Sequence, residues 1–180
     1  MRRVTLLVTA IGVAMLLASG VALAVTFDGT DGPDTFVGTD GPDDIRGRGG
    51  NDNLSGAGGI DRVRGDGGND TVSGGPGGTL DRREEVRGDS GNDTVSGGGG
   101  ADQVRGDFGD DRMFGDGGAD FIRADDDGID SVSAGAGNDM IEAHDDAGQD
   151  TIDCGDGTDS VDFDTGVDVV ADNCENQDPH

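Results

Sequence analysis

One carboxylate recurs at a fixed spacing and carries the chain's only concentrated chemistry. Asp stands at the sixth place of a nine-residue unit, Gly-x-x-Gly-x-Asp-x-(apolar)-x. It does so at Asp34, Asp43, Asp52, Asp61, Asp70, Asp93, Asp102, Asp111, Asp120, Asp130, Asp139, Asp150 and Asp159. Four copies show the unit plainly. They start at Gly47, Gly65, Gly88 and Gly115 and carry Asp52, Asp70, Asp93 and Asp120. Stacked in register, such residues form a column of oxygen donors. Hard divalent cations, calcium above all, are bound by that donor type.

A period of nine is too short for a helical hairpin or an independent domain. It suits one Gly-rich turn and one short strand, wound into a coil. The eighth place is the one reliably apolar position: Phe36, Ile45, Leu54, Val63, Val72, Val86, Val95, Val104, Met113, Ile122, Val132, Ile141, Ile152 and Val161. One apolar residue between two polar ones reads as a three-residue strand with its middle side chain inward. The first and fourth glycines are read as positions whose φ other residues resist. The ninth place alternates between Arg (Arg46, Arg64, Arg87, Arg105, Arg123) and mostly Ser (Ser55, Ser73, Ser96, Ser133). The full repeat is therefore eighteen residues, two strands per turn of coil, one in each of two sheets. The fold expected is all-β, a parallel β-roll or two-sheet solenoid, about seven turns and roughly 34 Å long.

The copy at Gly74 carries about five extra residues, Thr79 to Arg83, and places either Glu84 or Asp81 where Asp belongs. That interrupts the expected column. Copies from Ala124 onward loosen in length.

Composition restricts the partners. The net charge is −27, or −29 without Arg2 and Arg3, and Lys, Trp and Tyr are absent. A chain this acidic and poor in aromatics buries too little apolar surface to offset its entropy unless something neutralises the carboxylates. Nucleic acid and anionic membrane repel such a surface. Residues 1–24 read as a signal peptide, with Arg2-Arg3, an apolar run from Leu6 to Leu23 and Ala22-Leu23-Ala24 as the cleavage signal. An uncleaved anchor is the alternative. After cleavage no membrane segment is expected, and the mature roll runs over 25–174 with a tail at 175–180. Cys154 and Cys174, an even pair in an exported chain, are expected to form a disulfide, a pair of metal thiolates being the alternative.

The unit resembles the RTX, or haemolysin-type, calcium-binding repeat over about Gly29 to Asp162. The resemblance implies a parallel β-roll with several calcium ions between turns of the same edge. Carried over, Asp43, Asp61, Asp102, Asp120 and Asp139 line one edge; Asp34, Asp52, Asp70, Asp93, Asp111, Asp130 and Asp150 line the other. It departs at the second Gly, replaced by Asp66, Asp89, Asp107 and Asp116. These are read as outer ligands or added charge.

No segment is left for a catalytic domain, so the chain is read as a non-enzymatic, secreted calcium-binding protein with a structural or interaction role. The alternative is an accessory adhesion factor holding a cell-surface or matrix polysaccharide through the roll, with the Arg row as its contact. Asp125-Asp126-Asp127-Gly128 lacks the spacing of an EF-hand. Asn69 and Asn92 match a glycosylation pattern but belong to the repeat. An ice-binding lattice is disfavoured because the outward seventh places mix Thr71 and Thr94 with Arg62, Glu85 and Phe121.

Overall fold

A computed structural model describes residues 23–77, 83–124, 128–144 and 148–180. The signal-peptide reading (apart from its last two residues), most of the Thr79–Arg83 insertion, Asp81 and Asp125 to Asp127 lie outside the described residues.

The described chain is a two-sheet parallel solenoid. The first sheet has nine strands: Thr26–Asp28, Asp44–Gly49, Arg62–Gly67, Glu84–Ser90, Asp102–Phe108, Phe121–Arg123, Met140–Ala143, Ser160–Phe163 and Asn176–Pro179. The second follows Thr35–Val37, Asn53–Ser55, Thr71–Pro76, Thr94–Gly99, Arg112–Gly117, Ser131–Ser133, Thr151–Asp153 and Val169–Val170, with two short strands off that path. Along the two main paths successive strands alternate between sheets, as the Arg/Ser alternation requires. About eight turns result. The segment read as a tail supplies the last strand, Asn176–Pro179, paired with Ser160–Phe163.

The core is one side chain wide. Ile45, Val63, Val86, Val104, Ile122 and Ile141 stack from the first sheet against Leu54, Val72, Val95, Met113 and Ile152 from the second, all essentially inaccessible. Stacked Phe27 and Phe36 rings, 4.2 Å apart, close the N-terminal end of this column. At the other end, Ala124, Ala134, Ala143 and Cys154 occupy the first place of their units and join the core, where earlier units have Gly.

Two local expectations need correction. Many strands run six or seven residues, not three, because pairing continues around the corner into the next unit. The bend is taken at the second place, where Arg48, Ala57, Asp66, Asp89, Asp107 and Asp116 adopt φ of 66–79°. Asp tolerates this left-handed region better than most residues. Most fourth-place glycines also have positive φ, among them Gly50, Gly68 and Gly118, though Gly32, Gly41 and Gly77 do not. The first-place glycines do not. They are Gly for room: a Cβ on Gly65 would overlap Asp70 Oδ2 and fall 2.7 Å from the Gly88 carbonyl oxygen.

Cys154 and Cys174 are joined in a disulfide, which removes the thiolate alternative. It ties the last turns together across a loop of about twenty residues, worth roughly 3 kcal/mol in the chain-entropy account. Reduction in saturating calcium is expected to lower the melting temperature and to speed amide exchange at Ser160–Phe163 and Asn176–Pro179 first. Unchanged melting and exchange after reduction would show that the link does not hold this end.

Candidate metal centre

Each edge of the roll carries one column of buried carboxylates. On one edge the order is Asp43, Asp61, Glu84, Asp102, Asp120, Asp139 and Asp159; on the other it is Asp34, Asp52, Asp70, Asp93, Asp111, Asp130 and Asp150. The columns are set by the strand register and by a repeated bond. The amide of one Asp donates to Oδ1 of the Asp in the next turn, at 2.7–2.8 Å, from Asp34 to Asp52, Asp52 to Asp70, Asp70 to Asp93 and onward to Asp150. The same bond links Asp43 to Asp61, Asp102 to Asp120, Asp120 to Asp139 and Asp139 to Asp159. Every carboxylate in the two columns except Asp34 is under 5% exposed.

In each of these bonded pairs one oxygen of the accepting Asp is thus used by the backbone. The second is not. Oδ2 of Asp52, Asp61, Asp70, Asp93, Asp102, Asp120, Asp139 and Asp159 is buried with no hydrogen-bond partner. In the units that begin with Gly this oxygen faces the empty Cβ position of the first-place residue, beside a backbone carbonyl of the next turn. Gly65 and Gly88 show it, with the Gly88 and Gly106 carbonyl oxygens 2.7 and 2.8 Å from those positions. A buried anionic oxygen without a partner costs several kcal/mol. An oxygen-lined cradle beside it is the donor set a hard cation takes. Among the described residues no group of three or more His, Cys, Asp and Glu side chains is arranged to hold a metal ion by itself. The remaining ligands would accordingly be turn carbonyls, which suits calcium and not zinc.

The ends of the columns differ. Thr30 donates its amide (2.6 Å) and hydroxyl (3.0 Å) to Asp34 Oδ2, and Thr39 does the same to Asp43 Oδ2 at 2.5 and 3.2 Å. The Val25 amide donates to Asp43 Oδ1. At the far end Asp168 receives the Asp150 amide on one oxygen and the Asp164 amide on the other. Glu175 receives the Asp159 amide. The structure therefore places Asp34 and Asp43 as hydrogen-bonded caps of their turns and leaves the open oxygens to the interior units. Sequence reasoning missed Asp168 and Glu175 because neither sits in an intact repeat. It left Glu84 undecided.

Burial decides the proton affinity of the columns. Desolvation pushes Asp61, Asp70, Asp102 and Asp139 up to about 6, and Asp93 and Asp120 up to about 7, against the lowering effect of the amide that each accepts. Neighbouring carboxylates of the same column add to the rise.

The second-place acids are less buried than the columns, although Asp89 Oδ2 is enclosed without a hydrogen-bond partner. Asp66 is paired with Arg46 (2.6 Å), and Asp116 accepts from the Ser96 hydroxyl. Arg62 and Arg87 both reach Glu85, and Arg123 reaches Glu142. The Arg row thus offsets acid on its own face. Asn51, Asn69 and Asn92 stack, each side-chain oxygen taking the amide of the next Asn at 3.2–3.3 Å. His144 and His180, the chain's two histidines, meet at Asp162, 3.5 and 2.8 Å from its carboxylate.

Because the folded carboxylates hold protons more tightly than unfolded ones, protonation stabilises the cation-free roll fully below about pH 4. That contribution is lost as pH rises through 6–7. The chelated chain is expected to gain β-structure by circular dichroism as pH falls from 7.5 to 4.5. Calcium uptake at pH 6.5 is expected to release protons, measured by calorimetry in buffers of different ionisation enthalpy. Heats that do not depend on the buffer would contradict the assignment.

The description RTX calcium-binding nonapeptide repeat (4 copies) belongs to a family model that matches residues 28–63, 49–78, 87–122, 125–147 and 143–170. No curated protein matches the chain.

Proposed function

The chain belongs to the RTX calcium-binding nonapeptide repeat family, and from that premise we propose that it is a secreted β-roll whose folding is driven by calcium and whose role is structural or interactive. The observation that carries this reading is the set of buried, unpartnered Oδ2 atoms along both edges. Bound calcium supplies positive charge and a large oxygen coordination shell at those atoms.

Everything else is done by the chain. The Asp amides fix one oxygen of most column carboxylates and aim the other. The first-place glycines keep the cradle open. The Thr30 and Thr39 turns close one end without an ion. Asp52, Asp61, Asp70, Asp93, Asp102, Asp111, Asp120, Asp130, Asp139, Asp150 and Asp159 are the side-chain ligands in this proposal, and the site count is five to ten ions. The unfolded chain has no preformed site, so binding free energy becomes folding free energy. Export is supported by Arg2-Arg3, the apolar run and Ala22-Leu23-Ala24 ahead of Val25, and by the disulfide, which forms in oxidising compartments. Extracellular calcium modules work at dissociation constants of about 0.1–1 mM.

The test is a calcium titration of the chelated, mature chain at pH 7.5. A change from an expanded, weakly structured state to a β-rich one of smaller hydrodynamic radius is expected near millimolar calcium. Identical circular-dichroism spectra and radii in chelator and in calcium would overturn the reading.

A further inference from the structure

The family match runs to residue 78 and resumes at 87, leaving out residues 79–86 and Glu84 with them. The fold does not leave it out. Glu84 stands directly beside Asp102 in the strand register, and the Glu85 amide donates to the Asp61 carbonyl at 3.0 Å, as the residue after each Asp does elsewhere. Glu84 is fully buried, a rare placement for a glutamate side chain.

Its carboxylate lies in the same cradle as the aspartates, but deeper. In the neighbouring Asp units a Cβ on the fourth-place residue would be 3.0–3.2 Å from Oδ1, as at Gly59 to Asp61 and Gly157 to Asp159. At Gly77 the equivalent atom would overlap both Glu84 Oε1 and the Gly59 carbonyl oxygen, while at Gly74 it would overlap Glu84 Oε2. The extra methylene carries Oε1 into the turn, while Oε2 stays against the first-place glycine, where the aspartate Oδ2 atoms lie. On either side in the column, Asp61 Oδ2 and Asp102 Oδ2 are buried without hydrogen-bond partners.

We infer that Glu84 is a ligand for a hard divalent cation of calcium's class, so that the line of sites on this edge runs unbroken through the insertion. The inference rests on the calcium-binding reading above. Presenting two oxygens to one turn suits the larger coordination number of calcium over the octahedral demand of magnesium.

The experiment is calcium stoichiometry of the full mature chain by equilibrium dialysis, for wild type, Glu84→Gln and Glu84→Asp, with folding followed by circular dichroism. Wild type and Glu84→Asp are expected to bind the same number of ions, and Glu84→Gln at least one fewer. Equal stoichiometry and affinity in Glu84→Gln would overturn the inference; a wild type that binds no calcium would instead sink the broader reading. Should Glu84→Gln not fold, difference infrared spectra of wild type carrying carboxyl-13C glutamate replace it. The chain has four glutamates, Glu84, Glu85, Glu142 and Glu175. A calcium-coordinated glutamate band in wild type that vanishes in Glu84→Asp supports the site. Its absence in folded, calcium-loaded wild type overturns it.

Discussion

Repulsion and desolvation among stacked, buried carboxylates govern this structure. The strand spacing puts each acid about 4.8 Å from the next turn's. At an effective dielectric near 20, two unit charges at that distance repel by roughly 3.5 kcal/mol. Two columns of such contacts would outweigh what a core one residue wide returns. Each buried Val or Ile contributes about 1.5–3 kcal/mol, against an ordering cost of about 1–2 kcal/mol for every residue of its nine-residue unit. The roll therefore depends on neutralisation, by protons at low pH or by cations at neutral pH. The repeated amide-to-Oδ1 bond explains why the carboxylates are placed so expensively. It makes them part of the parallel register itself, so the groups that would bind the ion also align the strands.

This dependence falls unevenly along the chain. The first two units satisfy their acids with Thr30 and Thr39, and the last column residue on one edge, Asp168, is satisfied by two backbone amides. The late units replace first-place Gly with Ala124, Ala134, Ala143 and Cys154, which adds apolar contact, and the disulfide follows. Solenoid ends lack a neighbour on one side and need their own closure. Both ends here are closed by covalent or hydrogen-bonded means, while the open oxygens are concentrated between them.

The parts that could be read from the sequence were those that repeat. Asp at the sixth place and the apolar eighth place each state a constraint more than a dozen times and the Arg/Ser alternation nine times, and the sheet pairing follows from them. What stayed hidden was what occurs once. Asp168 and Glu175 end columns in segments with no intact unit. Asn176–Pro179 has no apolar eighth-place signal, yet it pairs because Ser160–Phe163 offers an open edge. Glu84 was ambiguous with Asp81 because an insertion of about five residues leaves the register free until the strand pairing decides it. The role of the first-place Gly was misread as conformational because sequence shows only which side chain is missing. It does not show that an oxygen stands in the missing atom's place.

The eighteen-residue period also divides the surface. Sorted by sheet, the outward seventh places are two distinct rows and not one mixed set. Asp44, Arg62, Glu85 and Gln103 are in register on the first sheet, whereas Thr35, Asn53, Thr71 and Thr94 are in register on the second. The ninth places sort the same way, Arg46, Arg64, Arg87 and Arg105 against Val37, Ser55, Ser73 and Ser96. On the first face Arg46 meets Asp66 and Arg62 meets Glu85. The opposite face is uncharged in these rows through its first four strands. Cross-strand neighbours in a parallel ladder are always the residues one period apart, so a two-unit period keeps like with like on each sheet. Like charges stacked in that way need an opposite row beside them, and the second-place acids at left-handed φ supply it for the Arg row. The outer Asp66 is accordingly accounted for by Arg46, whereas Asp89 Oδ2 is buried without a hydrogen-bond partner, as are the second oxygens along the inner columns from which a cation site can be built.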